Sequence, residues 1–260
     1  MSTGLAVTRR LAERDPLVRL LGWKAVLLYA DPCTYDRWRW VERWSEPGPV
    51  RTMDAGSGNG AFAMFAAKRG NEATALSYSA IDQGKADRRA HAAGLTGVHF
   101  PVVDLRELDR FADDLGQFDQ VYCLEVIEHI LDDRKLLRDL ARLIRPGGRL
   151  LLTTPTMDHR PLYGETISDH EDGNHVRVGY TNDQLEALLV EAGFGEVTHH
   201  RLSGIVSQAG FNVMYRLNGV YPHLGWILSL PLRLLRPLDG PLTRLTGFPH
   251  LSIGVVAVRR

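Results

Sequence analysis

The chain has 260 residues, 44% hydrophobic and 24% charged, which is ordinary globular usage and enough for one large domain or one domain with additions. Its formal net charge is zero and its arginines are scattered, so no nucleic-acid or acidic partner is implied. Met1–Arg10 lacks an apolar signal core, and Cys33 and Cys123 stand far apart in apolar or aromatic settings, so a cytoplasmic protein with reduced thiols is expected. The longest charge-free stretch, Leu217 to Leu232, is too short for a membrane span and is broken by Pro222 and Pro231.

In chain order, residues 1–49 lie outside any repeat and read as an N-terminal helical cap holding four of the five tryptophans. Within it, Tyr35 to Trp44 has the spacing of an amphipathic helix, with Trp40 and Trp44 on one face and Asp36–Arg39 and Arg39–Glu42 pairs at i, i+3. From residue 50 strand and helix patterns alternate. The apolar run Pro49 to Met53 precedes a glycine-rich turn and a helical pattern at Ala61–Arg69. Strand signals follow at Ala73–Ser77, Val98–Val103, Phe118–Leu124 and Arg149–Thr154, separated by helical patterns at Ala80–Ala93, Leu108–Leu115 and Leu131–Ile144. Pro146-Gly147-Gly148 stops the last of these. Thr181 and Gln184 form a capping-box signature for a helix to Ala192 that Gly193 closes, and strands are expected at Glu196–Leu202 and Ser252–Val258. This rhythm predicts an α/β, Rossmann-like, doubly wound sheet over residues 50–260, with ligands at the carboxyl ends of its strands. Cap or lid insertions are expected at about 156–180 and 204–250, because structureless loops of that length are uncommon.

The turn Asp54-Ala55-Gly56-Ser57-Gly58-Asn59-Gly60 carries the chemistry. Alternating glycines between a strand and a helix let a ligand approach the backbone near helix-start N–H groups. Gly56-x-Gly58-x-x-Ala61 also satisfies the dinucleotide fingerprint, which requires an acid about 20 residues further on. Ser77 stands there instead, and the acid, Asp54, precedes the turn. A carboxylate there repels a pyrophosphate but favours a cofactor bearing an ammonium and a sulfonium, the charges of S-adenosylmethionine.

Asp54-x-Gly56-x-Gly58-x-Gly60, Asp104, Phe118-Asp119, Glu125-Val126-Ile127-Glu128-His129 and Arg145-Pro146-Gly147-Gly148 occur in the order and spacing of the class I S-adenosylmethionine-dependent methyltransferases. The chain resembles that family from about Val50 to Gly195. The resemblance implies a seven-stranded sheet with a reversed last strand. It places Asp54, Gly56, Ser57, Gly58 and Gly60 at the methionyl end of the cofactor and Ser77 and Tyr78 at the ribose. Asp104 and Leu105 would meet the adenine, with Leu124 and Glu125 on the opposite wall. Ser77 departs from the family, which usually has an acid there; a neutral hydroxyl makes a weaker hydrogen bond to a ribose. Tyr35 and Trp38 either cover the sheet or roof the sulfonium through a cation–π contact.

The Glu125–His129 block is similar to that of ubiquinone-pathway O-methyltransferases and small-RNA 2′-O-methyltransferases. Glu125, Glu128 and His129 share a face if a helical turn begins at Glu125, and that trio either holds a divalent metal or positions the loop. His129, His170 and His175 are candidate general bases for an acceptor hydroxyl. The last two sit in the loop Thr156 to Tyr180, which also carries Tyr163, Glu171 and Asp172. The segment Arg201 to His250 has five arginines against one acid, Asp239, and reads as a lid, a homodimer surface or a peripheral membrane contact. The expected activity is methyl transfer, with oxygen preferred, to a small hydrophobic acceptor. The alternative is a cofactor-bound cyclase, isomerase or scaffold.

Overall fold

A computed structural model describes residues 16–159, 167–221 and 224–260. Three helices come first, α1 (Pro16–Leu21), α2 (Lys24–Tyr29) and α3 (Pro32–Trp44). Asp31 caps α3 by accepting the Thr34 N–H at 3.0 Å, and Pro32 sits at its start. Alternation then begins with β1 (Arg51–Ala55), α4 (Ala61–Lys68), β2 (Glu72–Leu76), α5 (Ala80–Ala92) and β3 (Val98–His99). It continues through α6 (Ala112–Leu115), β4 (Phe118–Leu124), α7 (Asp133–Leu143) and β5 (Ile144–Pro155). After β5 come α8 (Asn182–Glu191), β6 (Phe194–Leu202), α9 (Ile205–Val220), α10 (Leu224–Leu234), α11 (Asp239–Thr246) and β7 (Ser252–Arg259).

The seven strands form one sheet in the order β3-β2-β1-β4-β5-β7-β6. The first five are mutually parallel, and β7 inserts antiparallel between β5 and β6. Two-residue periodicity in the central strands divides the core. Val121, Cys123, Leu150 and Leu152 face Leu136, Leu137 and Leu140 of α7, whereas Tyr122, Leu124 and Leu151 lie on the side of Phe62 and Phe65 of α4 and Trp38 and Trp40 of α3.

Three expectations shift. The strand foreseen at Val98–Val103 is regular only over Val98–His99, because Pro101 has no N–H to donate; a single bridge, Ser77 to Val102, continues the edge. The helix expected over Leu108–Leu115 is a 3₁₀ turn from Leu105 to Phe111, with Glu107 outside helical geometry, followed by the short α6. The helix before Pro146-Gly147-Gly148 ends at Leu143, and those residues are absorbed as an irregularity in β5 opposite Phe118 and Gln120. The Thr181–Gln184 capping box is present in both directions.

Candidate functional site

The glycine turn adopts the conformation its composition requires. Gly56, Gly58 and Gly60 have φ of 82°, 50° and 79°. A Cβ on Gly56 would collide with the Val126 side chain, whereas one on Gly58 would meet nothing within 4 Å. The Gly56 and Ser57 N–H groups both donate to the Leu76 carbonyl, at 3.0 and 2.8 Å, which fastens the turn to the end of β2. Asp54 lies beneath it, 2% exposed, and its Oδ2 accepts the Ala63 N–H at 3.1 Å. Burial pushes this carboxyl up to about 7, opposed by that single hydrogen bond.

Above the turn is a cavity of about 450 Å³ at the carboxyl ends of β1, β2 and β4. Of the residues expected to bind cofactor, Gly56, Gly58, Ser77, Tyr78, Asp104, Leu105 and Glu125 line it, and so does His129. Asp54, Ser57, Gly60, Leu124 and Tyr35 are not on its wall. Asp54 supports the turn from below, and the Ser57 hydroxyl faces Gln83 Oε1 at 3.4 Å. Leu124 packs into the α4 side of the core. Tyr35 leans on Trp38 at 5.0 Å between ring centroids and lies under the Arg236 guanidinium at 4.1 Å, so it meets a protein cation and does not roof the cavity.

The β2 end of the cavity, where the resemblance puts the ribose, is built around the β2–α5 turn. Ser77 Oγ accepts the Ser79 N–H at 3.2 Å, and an acid outside β2, Asp82 in the first turn of α5, lies on the cavity wall beside Tyr78 and Ser79. Hydrogen bonds from Ser79 and Lys85 hold its carboxyl below the usual range. Asp104 is gripped by Arg106, whose Nε lies 2.9 and 3.0 Å from its two oxygens, and this charge-assisted contact lowers its pKa. Arg106 also reaches Glu171 at 3.4 Å, and Glu171 accepts the Leu131 N–H at 2.6 Å. Arg106, Glu171, Asp172 and Gly173 therefore join the cavity wall.

On the opposite side Glu125 occupies the left-handed region at φ 54°, a conformation that costs a non-glycine residue roughly 1–3 kcal/mol. Its N–H donates to the Thr153 carbonyl at 2.9 Å, and its carboxylate meets Arg37 at 3.5 Å and the Ser252 hydroxyl at 3.3 Å. Arg37, also paired with Asp31 at 2.9 Å, is thus the contribution of α3 to the site. The sequence contained a signal for it, an arginine in the helix two residues after Tyr35. Asp36, expected to pair with Arg39, instead pairs with Arg236 at 2.7 Å, while the Arg39–Glu42 pair forms at 2.6 Å.

Glu128 is fully buried. Its Oε2 accepts the Thr154 hydroxyl at 3.2 Å, its Oε1 has no hydrogen-bond partner, and burial together with the charge of Glu125 raises its pKa well above the ordinary carboxylate range. His129 and His175 meet edge to face at 4.7 Å. The Val176 N–H donates to the Glu128 carbonyl at 2.9 Å and so brings His175 to the 3₁₀ turn Ile127–His129. Donor atoms of Glu128, His129 and His175 all lie within 4.8 Å of one another, a set in which His175 takes the place expected for Glu125. His129 Nδ1 is 3.0 Å from the Asn174 carbonyl. A carbonyl only accepts, so Nδ1 is the donor in this contact and Nε2 is left for other partners. The His170 side chain is 82% exposed beside Asp169 and is absent from the cavity wall, and Tyr163 lies outside the described residues.

These residues fit S-adenosylmethionine: a left-handed glycine whose missing Cβ leaves open space, carboxylates on the walls and a cavity of ligand size. A family model described as a methyltransferase domain matches residues 30–214. The ubiquinone biosynthesis O-methyltransferase of Xanthomonas axonopodis pv. citri is 32% identical over 118 residues, covering 45% of this chain and 48% of that protein. Its counterpart in Pseudomonas aeruginosa is 33% identical over 124 residues, covering 45% and 50%. The chain thus spans about half the length of the curated relatives it matches. Among solved structures, Haemonchus contortus phosphoethanolamine N-methyltransferase 2 in complex with S-adenosyl-L-methionine superposes with a TM-score of 0.60 at 19% identity, covering 96% of this chain and 59% of that one. The cyclase SpnF gives 0.58 at 20% identity, with coverage of 86% and 80%. The fold is common to all of these, and the family match over most of the chain identifies the protein as a class I S-adenosylmethionine-dependent methyltransferase.

Proposed function

We propose that the protein methylates a hydroxyl group of a small, hydrophobic acceptor. One observation carries the choice of oxygen: His129 stands on the cavity wall with Nδ1 engaged by the Asn174 carbonyl, which leaves Nε2 as the nitrogen that can meet an acceptor hydroxyl. The likeness to proteins named ubiquinone biosynthesis O-methyltransferases supports the same choice. S-adenosylmethionine, when bound, supplies an electrophilic methyl carbon whose bond to sulfur breaks with the electron pair returning to sulfur. The chain's own residues hold donor and acceptor about 3 Å apart and in line. His129 Nε2 takes the hydroxyl proton as the oxygen–carbon bond forms. Glu171, Asp172 and Gly173 line the side formed by the loop and reduce the access of water.

A second reading rests on the Glu128, His129 and His175 trio, which has the donor set of a divalent-cation site. There the same Nε2 would ligate the metal, which would lower the pKa of a bound acceptor hydroxyl. Transfer of labelled methyl groups from S-adenosylmethionine into a panel of catechols, hydroquinones and aliphatic alcohols, with and without chelator, tests both. Labelled ether without metal dependence supports the first reading, and loss of label restored by one cation supports the second. Cofactor binding without label transfer to any acceptor class overturns both and favours a cyclase or scaffold.

A further inference from the structure

His129 and His175 meet across two separate segments, residues 127–131 and the loop of residues 171–177. Among the described residues a single backbone hydrogen bond joins the two, from the Val176 N–H to the Glu128 carbonyl at 2.9 Å. One such bond contributes less than the entropy lost in ordering seven residues of loop. Side chains supply the difference, one at each end of the loop. At the first end Glu171 accepts the Leu131 N–H at 2.6 Å. At the other, Arg177 donates through Nη2 to the Leu131 carbonyl at 3.0 Å and through Nη1 to the Ile127 carbonyl at 3.1 Å. Leu131 is thus held through both its N–H and its carbonyl, and one guanidinium spans the backbone on either side of His129.

The surroundings of Arg177 fix its guanidinium. Asp133, at the start of α7, supplies the counter-charge with Oδ2 at 2.9 Å from Nη1, and the same oxygen accepts the Tyr180 hydroxyl at 2.8 Å. The guanidinium lies 5.4 Å from the centroid of the Tyr180 ring. Tyr180 is itself secured to the end of β5, its N–H donating to the Pro155 carbonyl at 3.1 Å and its carbonyl accepting the Met157 N–H at 3.0 Å. The Arg177 and Asp133 side chains are both mostly buried, so their pairing is screened less than that of an exposed pair such as Arg39 and Glu42. The rigid fork of an arginine reaches two carbonyls and a carboxylate together, which the single nitrogen of a lysine does not. What this clamp holds is chemical. Between Glu171 and Arg177 lie Asp172 and Gly173 on the cavity wall, Asn174 with its carbonyl 3.0 Å from His129 Nδ1, and His175. Arg177 is not on that wall, so any effect it has on the reaction passes through these residues.

We propose that Arg177 is a positioning residue for the acceptor side of the site: by clamping the loop to the Ile127 and Leu131 carbonyls it orients the His129 imidazole and keeps His175 against it. The proposal rests on the reading of His129 as the base for an acceptor hydroxyl. Arg177→Met tests it in the full chain, because it keeps the side-chain stem beside Tyr180 and removes every donor. Two readouts are taken: kcat with an acceptor that the wild type methylates, and the ring-nitrogen NMR signals of His129 and His175 in ¹⁵N-histidine-labelled protein, identified through their glutamine variants. The variant keeps its circular dichroism and its S-adenosylmethionine binding, since the glycine turn and Asp82 do not touch Arg177. Its kcat falls roughly 10-fold to 100-fold, and the signals of both histidines move. Arg177→Lys, which restores one donor, recovers part of the rate, and it carries the same two readouts if the methionine variant does not fold. Histidine signals that stay as in wild type overturn the proposal. So does a folded variant with wild-type kcat, even at lower thermal stability, which would leave Arg177 a structural role alone. Wild-type protein that methylates no hydroxyl defeats the oxygen reading instead, and the histidine signals then decide the positioning role by themselves.

Discussion

Asp54 is a carboxyl that folding makes hard to ionise, and the consequence is measurable. It is completely enclosed, accepts one backbone hydrogen bond, and titrates at about 7 against an unfolded value near 3.9. The folded chain therefore binds a proton that the unfolded chain has released between these two values, and stability falls as pH rises through that window. About three pK units at roughly 1.36 kcal/mol each give a loss of about 4 kcal/mol between pH 4 and pH 7, with no further loss above. Asp54→Asn removes the titration. The amide keeps an acceptor for the Ala63 N–H but buries an NH₂, a cost of about 1–3 kcal/mol that does not depend on pH. The informative quantity is therefore the difference between wild type and variant. Urea unfolding of both cofactor-free proteins from pH 5 to pH 8.5 should show the variant gaining on the wild type by about 3 kcal/mol, then a plateau. A cationic cofactor above the turn favours the ionised form, so its binding should release a proton near pH 7 and tighten as pH rises. A difference that stays flat across pH 5 to 8.5 would refute the burial argument.

Further outcomes follow from the walls of the cavity. Asp82→Asn should raise the dissociation constant for S-adenosylmethionine by about tenfold in calorimetry, because a charge-assisted acceptor at the ribose end becomes neutral; an unchanged constant would remove Asp82 from that role. Gly56→Ala should abolish cofactor binding and cost on the order of 2 kcal/mol in chemical unfolding, since φ of 82° and the Val126 side chain both oppose a Cβ. His129→Gln should lower kcat by roughly 10²-fold to 10⁴-fold with S-adenosylmethionine affinity retained; an unchanged kcat would remove His129 from the role of base.

The sheet was legible in the sequence because each parallel strand is buried on both faces and reads as an apolar run bracketed by helices. The edge was less so. Val98–Val103 has the same apolar look as Phe118–Leu124, but a proline and a single neighbour leave it only two regular residue pairs with β2. The segment after β6 was expected to be helical on grounds of length and composition alone. Its inward and outward faces were hidden, because small residues mark the buried side there and leucines the exposed one.

The site divides along the same physical line. Gly56 and Gly58 could be placed on the cavity wall from spacing, since the turn is a local object, while Ser77 and Leu105 were placed there by the family resemblance. Residues that enter through long-range ion pairs could be placed by neither. Arg37 reaches Glu125 from a helix nearly ninety positions earlier, and Glu171 reaches Arg106 from a loop beyond β5. Helical spacing suggested that Glu125, Glu128 and His129 share a face, but Glu125 is left-handed and the turn begins only at Ile127. That backbone reversal sends the Glu125 carboxylate toward Arg37 and Ser252 and leaves Glu128 and His129 to meet His175. The left-handed turn at Glu125 thus parts a carboxylate paired with Arg37 from the Glu128, His129 and His175 cluster, although Glu125 and His129 are only four positions apart and both line the cavity.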